Sequence, residues 1–360
     1  MRLGIIGLPN SGKTTIFNAL TGQNLDTAAV SSGQFEVHTA IVNVPDARLD
    51  ALSKLFNPKK TTFATITYVD IGGLDKGISE GGLKGQFRNE LSQVDGFLHV
   101  VRVFEDDNVP HPYVDLDPAR DVEILDGEFL LEDMATVEKR ITRIQDEIRI
   151  KGKKVEAQYA DELALLERMQ AHLEEEKPLR DFGLSDEQEK QLRGFGFLSL
   201  KPTLIVLNMG EEKKDPASVL SYDHQNAAVV ALQGKLEAEI AQLDDPDDAA
   251  MFMEEYGIEE LGRNSVIRKS YELMDIQSFF TVGPDECRAW TVPVGATAPE
   301  AAGTIHSDLQ KGFIRAEVMN YQDLLDAGSE AEVKKQGRMH LEGKEYVVQD
   351  GDIVHIRFNV

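Results

Sequence analysis

The sequence has a single cysteine, Cys287, among its 360 residues. One thiol excludes an intrachain disulfide and a cysteine-based zinc cluster, and it is typical of a reducing compartment. Met1–Gly7 resembles a short strand rather than the start of a signal peptide. No segment contains the roughly 20 successive apolar residues that a bilayer-spanning helix needs. We therefore expect a soluble, cytoplasmic protein with no membrane partner.

Positive charge is also scarce, because 38 lysines and arginines stand against 63 aspartates and glutamates, for a net charge of −25. Non-specific binding to nucleic acid needs a surplus of cations, so a protein that coats nucleic acid is excluded and no DNA partner is expected. A local basic patch remains compatible with this balance. The apolar share of 41% is enough to bury cores, which excludes a disordered chain, and the length allows two or three domains.

Short apolar runs alternate with helical or loop sequence through much of the chain. Such a rhythm predicts an α/β fold with a mostly parallel sheet and helices on both faces. The predicted strands are Leu3–Ile6, Thr65–Val69, Phe97–Val103, Thr203–Leu207 and Ala228–Leu232.

One helical segment interrupts this alternation with a heptad pattern of apolar residues, followed after Gly152 by a second helical stretch that ends before Pro178. We predict an antiparallel helical hairpin with a basic tip, inserted between two strands of the sheet. Two ordinary surface helices packed on the sheet are the alternative. The apolar positions are Leu130, Met134, Val137, Ile141, Ile144 and Ile148, then Tyr159, Leu163, Leu166, Met169 and Leu173.

The last eighty residues predict a small mixed-sheet module with its own core. Thr297 and Glu300 have the spacing of a capping box, which predicts a helix through about Gln310. Asp350-Gly351-Asp352 predicts a hairpin turn between the last two strands. The predicted strands are Ala289–Val294, Phe313–Val318, Glu345–Val348 and Ile353–Phe358.

Gly7–Thr14 fits the phosphate-binding pattern GxxxxGK[ST], between an apolar strand and an amphipathic helix start. Successive backbone N–H groups and the helix N-terminus would hold the phosphates. Lys13 would contact the β- and γ-phosphates, and the Thr14 hydroxyl would bind Mg²⁺. A glycine turn without function is the alternative. The predicted nucleotide-binding residues of this loop are Asn10, Ser11, Gly12, Lys13, Thr14 and Thr15.

A second nucleotide-binding motif, DxxG, ends the strand that leads to Asp70. An aspartate at this place can hold Mg²⁺ through water, and the Gly73 N–H can reach the γ-phosphate. Many GTPases have a glutamine next, which orients the attacking water. Here the next residue is Leu74, which can neither donate nor accept a hydrogen bond.

The expected base-reading segment is Asn208-Met209-Gly210-Glu211, after a later strand. A guanine reader has Asn-Lys-x-Asp, in which the aspartate accepts hydrogen bonds from guanine N1–H and the 2-amino group. Met209 and the longer Glu211 remove that fit, so we predict that Asn208, Met209 and Glu211 bind adenine. The alternative is that Asn208 merely caps a turn.

Taken together, the chain resembles the YchF/Obg-like ATPase family of translation-factor-class P-loop proteins over essentially its whole length. The resemblance implies a G domain at 1–127 and 199–277, an inserted coiled coil at 128–198 and a C-terminal TGS domain of β-grasp type at 278–360. It also implies hydrolysis of ATP in preference to GTP, with Mg²⁺, and binding to the ribosome. The segments that carry it are Gly7–Thr14, Asp70–Leu74, Phe104–Asn108, Asn208–Glu211, Arg288–Pro299 and Lys311–Ala316.

The resemblance assigns roles to three further positions. His111 falls where the family has a loop histidine in place of the GTPase glutamine, so His111 and Lys13 are the predicted catalytic residues. Asn10 matches an asparagine linked to potassium dependence, which is compatible with a K⁺ requirement. Gln34 occupies the position of the first-switch threonine. Together with Thr14 and Asp70, it is a predicted metal ligand. Ser31, Ser32 or Thr39 could substitute for it.

Three functions therefore remain open at the level of sequence. The first is an ATPase whose nucleotide state controls docking to a ribosomal partner, the second is a GTPase of the same family, and the third is a nucleotide-gated adaptor with little hydrolysis. Two groups of cations are candidates for a contact with ribosomal RNA, with ordinary solvated charge as the alternative. They are Arg149, Lys151, Lys153 and Lys154 at the hairpin tip, and Lys334, Lys335 and Arg338 in a long loop region predicted for the C-terminal module.

Overall fold

The computed structural model describes residues 1–26, 37–72, 83, 85–212, 214–243, 245–256, 258 and 260–359. They form two compact units. The first consists of Met1–Ile41 and Thr67–Val266, and the second of Val42–Ile66 and Ile267–Val360. The sequence-based domain bounds differ from this division, since they place 42–66 in the G domain and separate the hairpin, and they remain a proposal.

The strands are β1 (Arg2–Ile6), β2 (Val37–Asn43), β3 (Lys60–Thr62), β4 (Thr65–Ile71), β5 (Gly96–Arg102), β6 (Thr203–Asn208), β7 (Ala227–Leu232), β8 (Ile276–Thr281), β9 (Glu286–Pro293), β10 (Phe313–Asn320), β11 (His340–Glu342) and β12 (Asp352–Phe358). The helices are α1 (Lys13–Thr21), α2 (Ala47–Phe56), α3 (Gly85–Gln93), α4 (Pro118–Lys151), α5 (Lys153–Glu174), α6 (Asp186–Leu192), α7 (Pro216–Val219), α8 (Gly234–Ala241), α9 (Pro246–Glu255), α10 (Gly262–Leu273), α11 (Ala298–Ile305), α12 (Ser307–Lys311), α13 (Tyr321–Ala327) and α14 (Glu330–Lys335).

The first sheet has the order β2-β4-β1-β5-β6-β7. Its pairs β1–β4, β1–β5, β5–β6 and β6–β7 are all parallel, which confirms the predicted mostly parallel sheet. Every residue of β5 and β6 is buried, as expected for strands covered on both faces. Parallel strands end at one edge, so β1, β4 and β6 bring the three predicted nucleotide motifs to the same side of the sheet.

The helical hairpin is confirmed: α4 and α5 lie between β5 and β6 in the chain and break at Gly152, whose φ is 75°. Arg140 pairs with Glu162, and the Tyr159 hydroxyl donates to Glu147, so the helices are antiparallel. The predicted apolar seam forms their common core, including Val137, Ile141, Ile144, Leu166, Met169 and Leu173.

The hairpin is anchored at its base by a buried carboxylate on α4. Asp133 accepts hydrogen bonds from Leu198 N at 2.8 Å, Ser199 N at 2.7 Å and Ser199 Oγ at 2.7 Å. Burial raises the pKa of Asp133 to about 6, and these three bonds oppose the rise. Nearer its start, α4 packs on the sheet through Leu125 and Phe129. The alternative of two surface helices therefore describes only the base of α4.

The second unit has a mixed sheet of order β11-β10-β12-β8-β9-β3. An antiparallel hairpin, β8–β9, leads into α11, and β12 then pairs parallel with β8 and antiparallel with β10. Ala298, Ala301 and Ala302 of α11 enter a core with Phe279 and Val292. One helix laid across such a sheet is the β-grasp arrangement that the resemblance implied.

Two predicted elements of this unit are wrong. The helix expected from Thr297 to Gln310 ends at Ile305, because the backbone of His306 is extended, and the His306 ring Nδ1 accepts from Asp308 N to start α12. Glu345–Val348 is not a strand and does not pair with β12. Its backbone instead bonds to residues 296–298, because Ala298 N donates to Tyr346 O and Val348 N donates to Ala296 O. The capping box itself is confirmed.

Candidate functional site

The phosphate loop joins β1 to α1, and two of its glycines are required by close approach. A Cβ at Gly7 would lie 2.3 Å from the Val100 carbonyl oxygen, and one at Gly12 would lie 2.1 Å from Asn208 Nδ2. Gly12 also has a φ of 91°, in the left-handed region that favours glycine. Any side chain at either position would push the loop away from the strands that support it.

Lys13 follows the loop as the first residue of α1, with its side chain turned back over the loop. Its Nζ donates to the carbonyl oxygens of Gly7 at 3.0 Å and Leu8 at 2.9 Å. The ammonium group therefore stands where the loop backbone would hold phosphate oxygens. Thr15, which is also predicted to bind the nucleotide, is half-buried in the first turn of α1.

Thr14 and Asp70, both predicted as Mg²⁺ ligands, are brought together by α1 and β4. The Thr14 Oγ1 donates to Asp70 Oδ2 at 3.1 Å. Asp70 is only 4% exposed, and burial raises the pKa of its carboxyl, while Lys13 and the hydrogen bond from Thr14 lower it. A hydroxyl beside a buried carboxylate supplies the oxygen ligands that Mg²⁺ prefers.

Ser11 adds a buried polar atom to the same loop. Its Oγ has no hydrogen-bond partner within the part of the chain that the structure describes. Buried hydroxyls are normally paired, so an unpaired one inside a phosphate loop fits a site whose remaining partner is a ligand.

Asn208 connects the end of β6 to the phosphate loop. Its Nδ2 donates to Ser11 O at 3.0 Å, and its Oδ1 accepts from Gly234 N at 3.3 Å. The side chain is 3% exposed. The structure thus gives Asn208 a bracing position, between the loop and α8, that the sequence did not reveal.

The two residues predicted beside Asn208 lie in different surroundings. Met209 is buried in an apolar cluster, and its N–H donates to Leu232 O at 2.8 Å. Glu211 is exposed, and its carbonyl accepts from Gln233 Nε2 at 2.7 Å. The Met209 N–H is therefore already hydrogen-bonded within the fold, and the Glu211 side chain lies at the surface.

Phe104 is a site residue to which sequence reasoning gave no role, although its motif was part of the resemblance. Its ring lies under the Arg102 guanidinium, whose carbon is 4.4 Å from the ring centroid. A Cβ added at Gly12 of the phosphate loop would lie 3.8 Å from the Phe104 ring carbon Cε1, and one added at Gly210 of the predicted base-reading segment would lie 3.4 Å from the Phe104 Cβ, so Phe104 is close to both segments. An aromatic ring between these segments offers a stacking surface for a nucleobase.

The loop of His111 is tied to the phosphate loop, but the His111 ring is turned toward α4. Asn10 Nδ2 donates to Pro110 O at 2.9 Å. The His111 Nε2 lies 2.9 Å from Asp121 Oδ2, and its Nδ1 accepts from Tyr113 N at 3.2 Å. Asn10 and His111, two residues far apart in sequence, therefore belong to one connected loop structure.

Five positions discussed from the sequence lie outside the described residues, namely Ser31, Ser32, Gln34, Gly73 and Leu74. Thr39 is exposed on β2. Among the described residues no group of three or more His, Cys, Asp or Glu could hold a metal ion. No described helix has the length and apolarity to cross a membrane.

Of the predicted cations whose side chains the structure describes, Arg149, Lys151, Lys334, Lys335 and Arg338 are exposed. Several of them form ion pairs. Arg149 pairs with Asp146 at 2.8 Å and Lys151 with Glu147 at 3.1 Å, both on α4. Lys334 and Lys335 end α14 rather than lying in a loop, as the sequence had suggested. Arg338 pairs with Asp323 at 2.9 Å.

Comparison with known proteins adds two matching family models. Residues 2–123 match a family described as a 50S ribosome-binding GTPase. Residues 276–359 match the C-terminal model of YchF-type GTPases, which is described as a protein of unknown function.

Full-length relatives are similar throughout. The chain is 44% identical to the "Ribosome-binding ATPase YchF" of Bacillus subtilis (strain 168), with 99% of each chain covered. It is 42% identical to the protein of that name from Escherichia coli O157:H7, covering 100% of this chain and 99% of the relative. The solved "Structure of the Schizosaccharomyces pombe YchF GTPase" superposes with a TM-score of 0.85 at 30% identity, covering 99% of this chain and 97% of that one.

Proposed function

This chain belongs to the YchF family, and from that premise we propose that it hydrolyses ATP to ADP and phosphate and binds the ribosome in a nucleotide-dependent manner. The observation that carries the proposal is the meeting of Lys13, Thr14 and Asp70 at one phosphate loop. Curated relatives over the full length are named as ribosome-binding ATPases. A ribosome-binding function also supports a cytoplasmic location.

Each residue of the site has a definite part in the proposed reaction. Gly12 and the other loop amides, with Lys13, bind the phosphates, and Thr14 and Asp70 hold Mg²⁺, with Gln34 and Gly73 as further proposed contacts. The ion neutralises charge on the β- and γ-phosphates when it is bound. His111 orients the attacking water once its ring leaves Asp121, as a neutral imidazole can do.

Adenine selectivity rests on what the base-reading segment lacks. The aspartate that accepts two hydrogen bonds from guanine is replaced by Glu211, and Met209 presents no polar side chain. The Glu211 carboxylate is one methylene farther from the backbone than that aspartate, so it does not meet both guanine donors, which would remain unpaired. The ring of Phe104 supports stacking on the base, and Asn208 holds the segment against the loop.

The hairpin tip is our proposed contact with ribosomal RNA. Arg149 is 78% exposed and Lys151 is 57% exposed. Ion pairs on a helix surface contribute little to stability, so these cations can exchange a carboxylate for a phosphate at little cost. Lys334, Lys335 and Arg338 form the second proposed contact.

Two other activities are favoured by particular observations. Residues 2–123 match a family described as a GTPase, and the solved fission-yeast relative is also called a GTPase, which makes GTP hydrolysis the second candidate. The hold of Asp121 on His111 favours an adaptor that hydrolyses slowly. A K⁺ requirement would be carried by Asn10, whose Oδ1 is the atom that would bind the cation.

Competition between nucleotides tests the proposal directly. A fluorescent ATP analogue bound to the protein with Mg²⁺ is displaced by unlabelled ATP or GTP, and we expect ATP to be effective at roughly tenfold lower concentration. Tighter binding of GTP would support the second candidate. Single-turnover hydrolysis with and without 70S ribosomes follows, and ATP binding without turnover in either case would support the adaptor. Replacing K⁺ by Na⁺ in the same assay tests the cation.

A further inference from the structure

The His111 ring is held inside the chain through both of its nitrogens. Tyr113 N donates to Nδ1 at 3.2 Å, so Nε2 carries the proton and donates to Asp121 Oδ2 at 2.9 Å. Only 4% of the His111 side chain and 4% of the Asp121 side chain are exposed. In this arrangement neither nitrogen of the ring can bind a water molecule.

The Asp121 carboxylate is itself fixed by its neighbour on α4. Its Oδ1 accepts from Arg120 Nε at 3.1 Å and from Arg120 Nη2 at 2.8 Å. Arg120 Nη2 also donates to the Asp115 carbonyl oxygen at 2.8 Å, which joins the turn after His111 to the same helix. Because one carboxylate oxygen is held by arginine, the other is presented to the histidine in a single orientation.

The turn that follows His111 is strained. Val114 has a φ of 69°, in the left-handed region that β-branched residues rarely adopt, and its side chain is 86% exposed. Val114 N donates to His111 O at 3.2 Å, so the strained residue closes the turn that places the ring. The bond to Asp121 therefore holds the loop in a conformation that its own sequence disfavours.

The segment before His111 is fixed near the nucleotide site. Arg102 Nη1 donates to Val109 O at 2.7 Å, and Asn10 Nδ2 donates to Pro110 O at 2.9 Å. Rearrangement of the 111–115 turn alone would thus free the ring while its attachment beside the phosphate loop stays in place.

We propose that Asp121 is a positioning residue that holds His111 in a withdrawn conformation, and that hydrolysis requires this hydrogen bond to break. The inference rests on the proposed function, in which His111 orients the water. Asp121 lies in the first turn of the 34-residue helix α4, and the hairpin tip at Lys151 is about 45 Å away at 1.5 Å per residue. The hairpin that meets the proposed RNA partner therefore also carries the residue that restrains hydrolysis.

The Asp121→Asn substitution tests the restraint with little change of shape. The amide oxygen keeps the two bonds from Arg120, which turns the amide NH₂ toward the His111 Nε2–H and sets donor against donor. We expect kcat for ATP to rise by roughly tenfold with KM unchanged, because hydrogen bonds to charged groups are among the stronger ones in proteins. The matched control is Glu123→Gln, which removes an exposed carboxylate from the same helix and should leave kcat unaltered.

Two further variants make the outcome decisive. Asparagine tolerates a positive φ, so Val114→Asn relieves strain in the withdrawn turn and should lower kcat by roughly threefold to tenfold. Because Val114 is exposed, the Val114→Asn variant tests the restraint by itself if Asp121→Asn does not fold. The double variant Asp121→Asn/His111→Ala should hydrolyse ATP no faster than His111→Ala.

A kcat for Asp121→Asn at or below that of the unaltered protein, or a rise that persists without His111, would overturn the inference. The role of His111 in the proposed function fails separately, when His111→Ala hydrolyses ATP as fast as the unaltered protein. In that case the premise of the restraint is lost with it.

Discussion

Lys13 donates to two carbonyl oxygens of its own loop and lies outside the buried core. Lys13→Ala should therefore abolish tight binding of ATP and leave the fold intact. Calorimetric titration with ATP and Mg²⁺ measures the first, and the circular dichroism melt measures the second. A variant that no longer folds would show that Lys13 serves the structure rather than the ligand.

His111 gives a different expectation, because its proposed role is in the transition state. We expect His111→Ala to lower kcat by about 10²-fold or more while ATP affinity changes little, in line with the loss of a group that positions the attacking water. Single-turnover hydrolysis and nucleotide titration separate the two effects. Equal turnover would assign the water to another residue or to the substrate phosphate.

Single residues also show where sequence reasoning was limited. The positions of Lys13, Thr14 and Asp70 could be predicted because the phosphate loop follows β1 and Asp70 lies at the end of β4, where local pattern determines position. Their roles toward the nucleotide stay predictions. The bonds from Asn208 to Ser11 and Gly234, and from His111 to Asp121, depend on tertiary contacts that no local pattern contains.

At the scale of elements, the cations of the hairpin tip lead to a prediction about ribosome binding. The exposure of Arg149 and Lys151 leaves the tip open to phosphate. Reversing Lys151, Lys153 and Lys154 to glutamate should weaken co-sedimentation with ribosomes, while ATP binding and ribosome-free hydrolysis stay normal.

A matched variant distinguishes the two proposed contacts. Reversing Lys334, Lys335 and Arg338 changes the charge by the same amount in the second unit. If that variant loses ribosome binding and the tip variant keeps it, the C-terminal group is the contact.

Elements with a strong repeat were the most predictable. The heptad seam identified α4 and α5 because helix pairing depends on periodic apolar positions, and Gly152 marked the break. The prediction of a strand at Glu345–Val348 was wrong because a short apolar run does not reveal its pairing partner. Its backbone bonds to residues 296–298, about fifty positions away. The pairing of β3 with β9 had no local signal for the same reason.

For the whole molecule, the net charge of −25 opposes contact with RNA everywhere except at local cations. Each phosphate contact releases counterions, so affinity for ribosomes should fall as salt increases. Three such contacts imply a loss of roughly 40-fold between 50 and 200 mM salt. Filter binding across that range measures the slope, which should flatten in the tip variant. A slope near zero would indicate a contact that does not involve phosphate.

The second unit is assembled from two distant pieces of chain. Lys59 bonds to Asp285 across 226 positions, and Thr62 bonds to Glu286 across 224. At a synthesis rate of about 5–20 residues per second, β3 leaves the ribosome roughly 10–45 s before its partner strand has been made. A strand without its partner exposes unpaired backbone groups, which promotes aggregation. β3 is only three residues long, Lys60–Thr62, and all three residues are polar, the first being a lysine. This short and polar composition lowers the risk of aggregation while β3 is without its partner strand during translation.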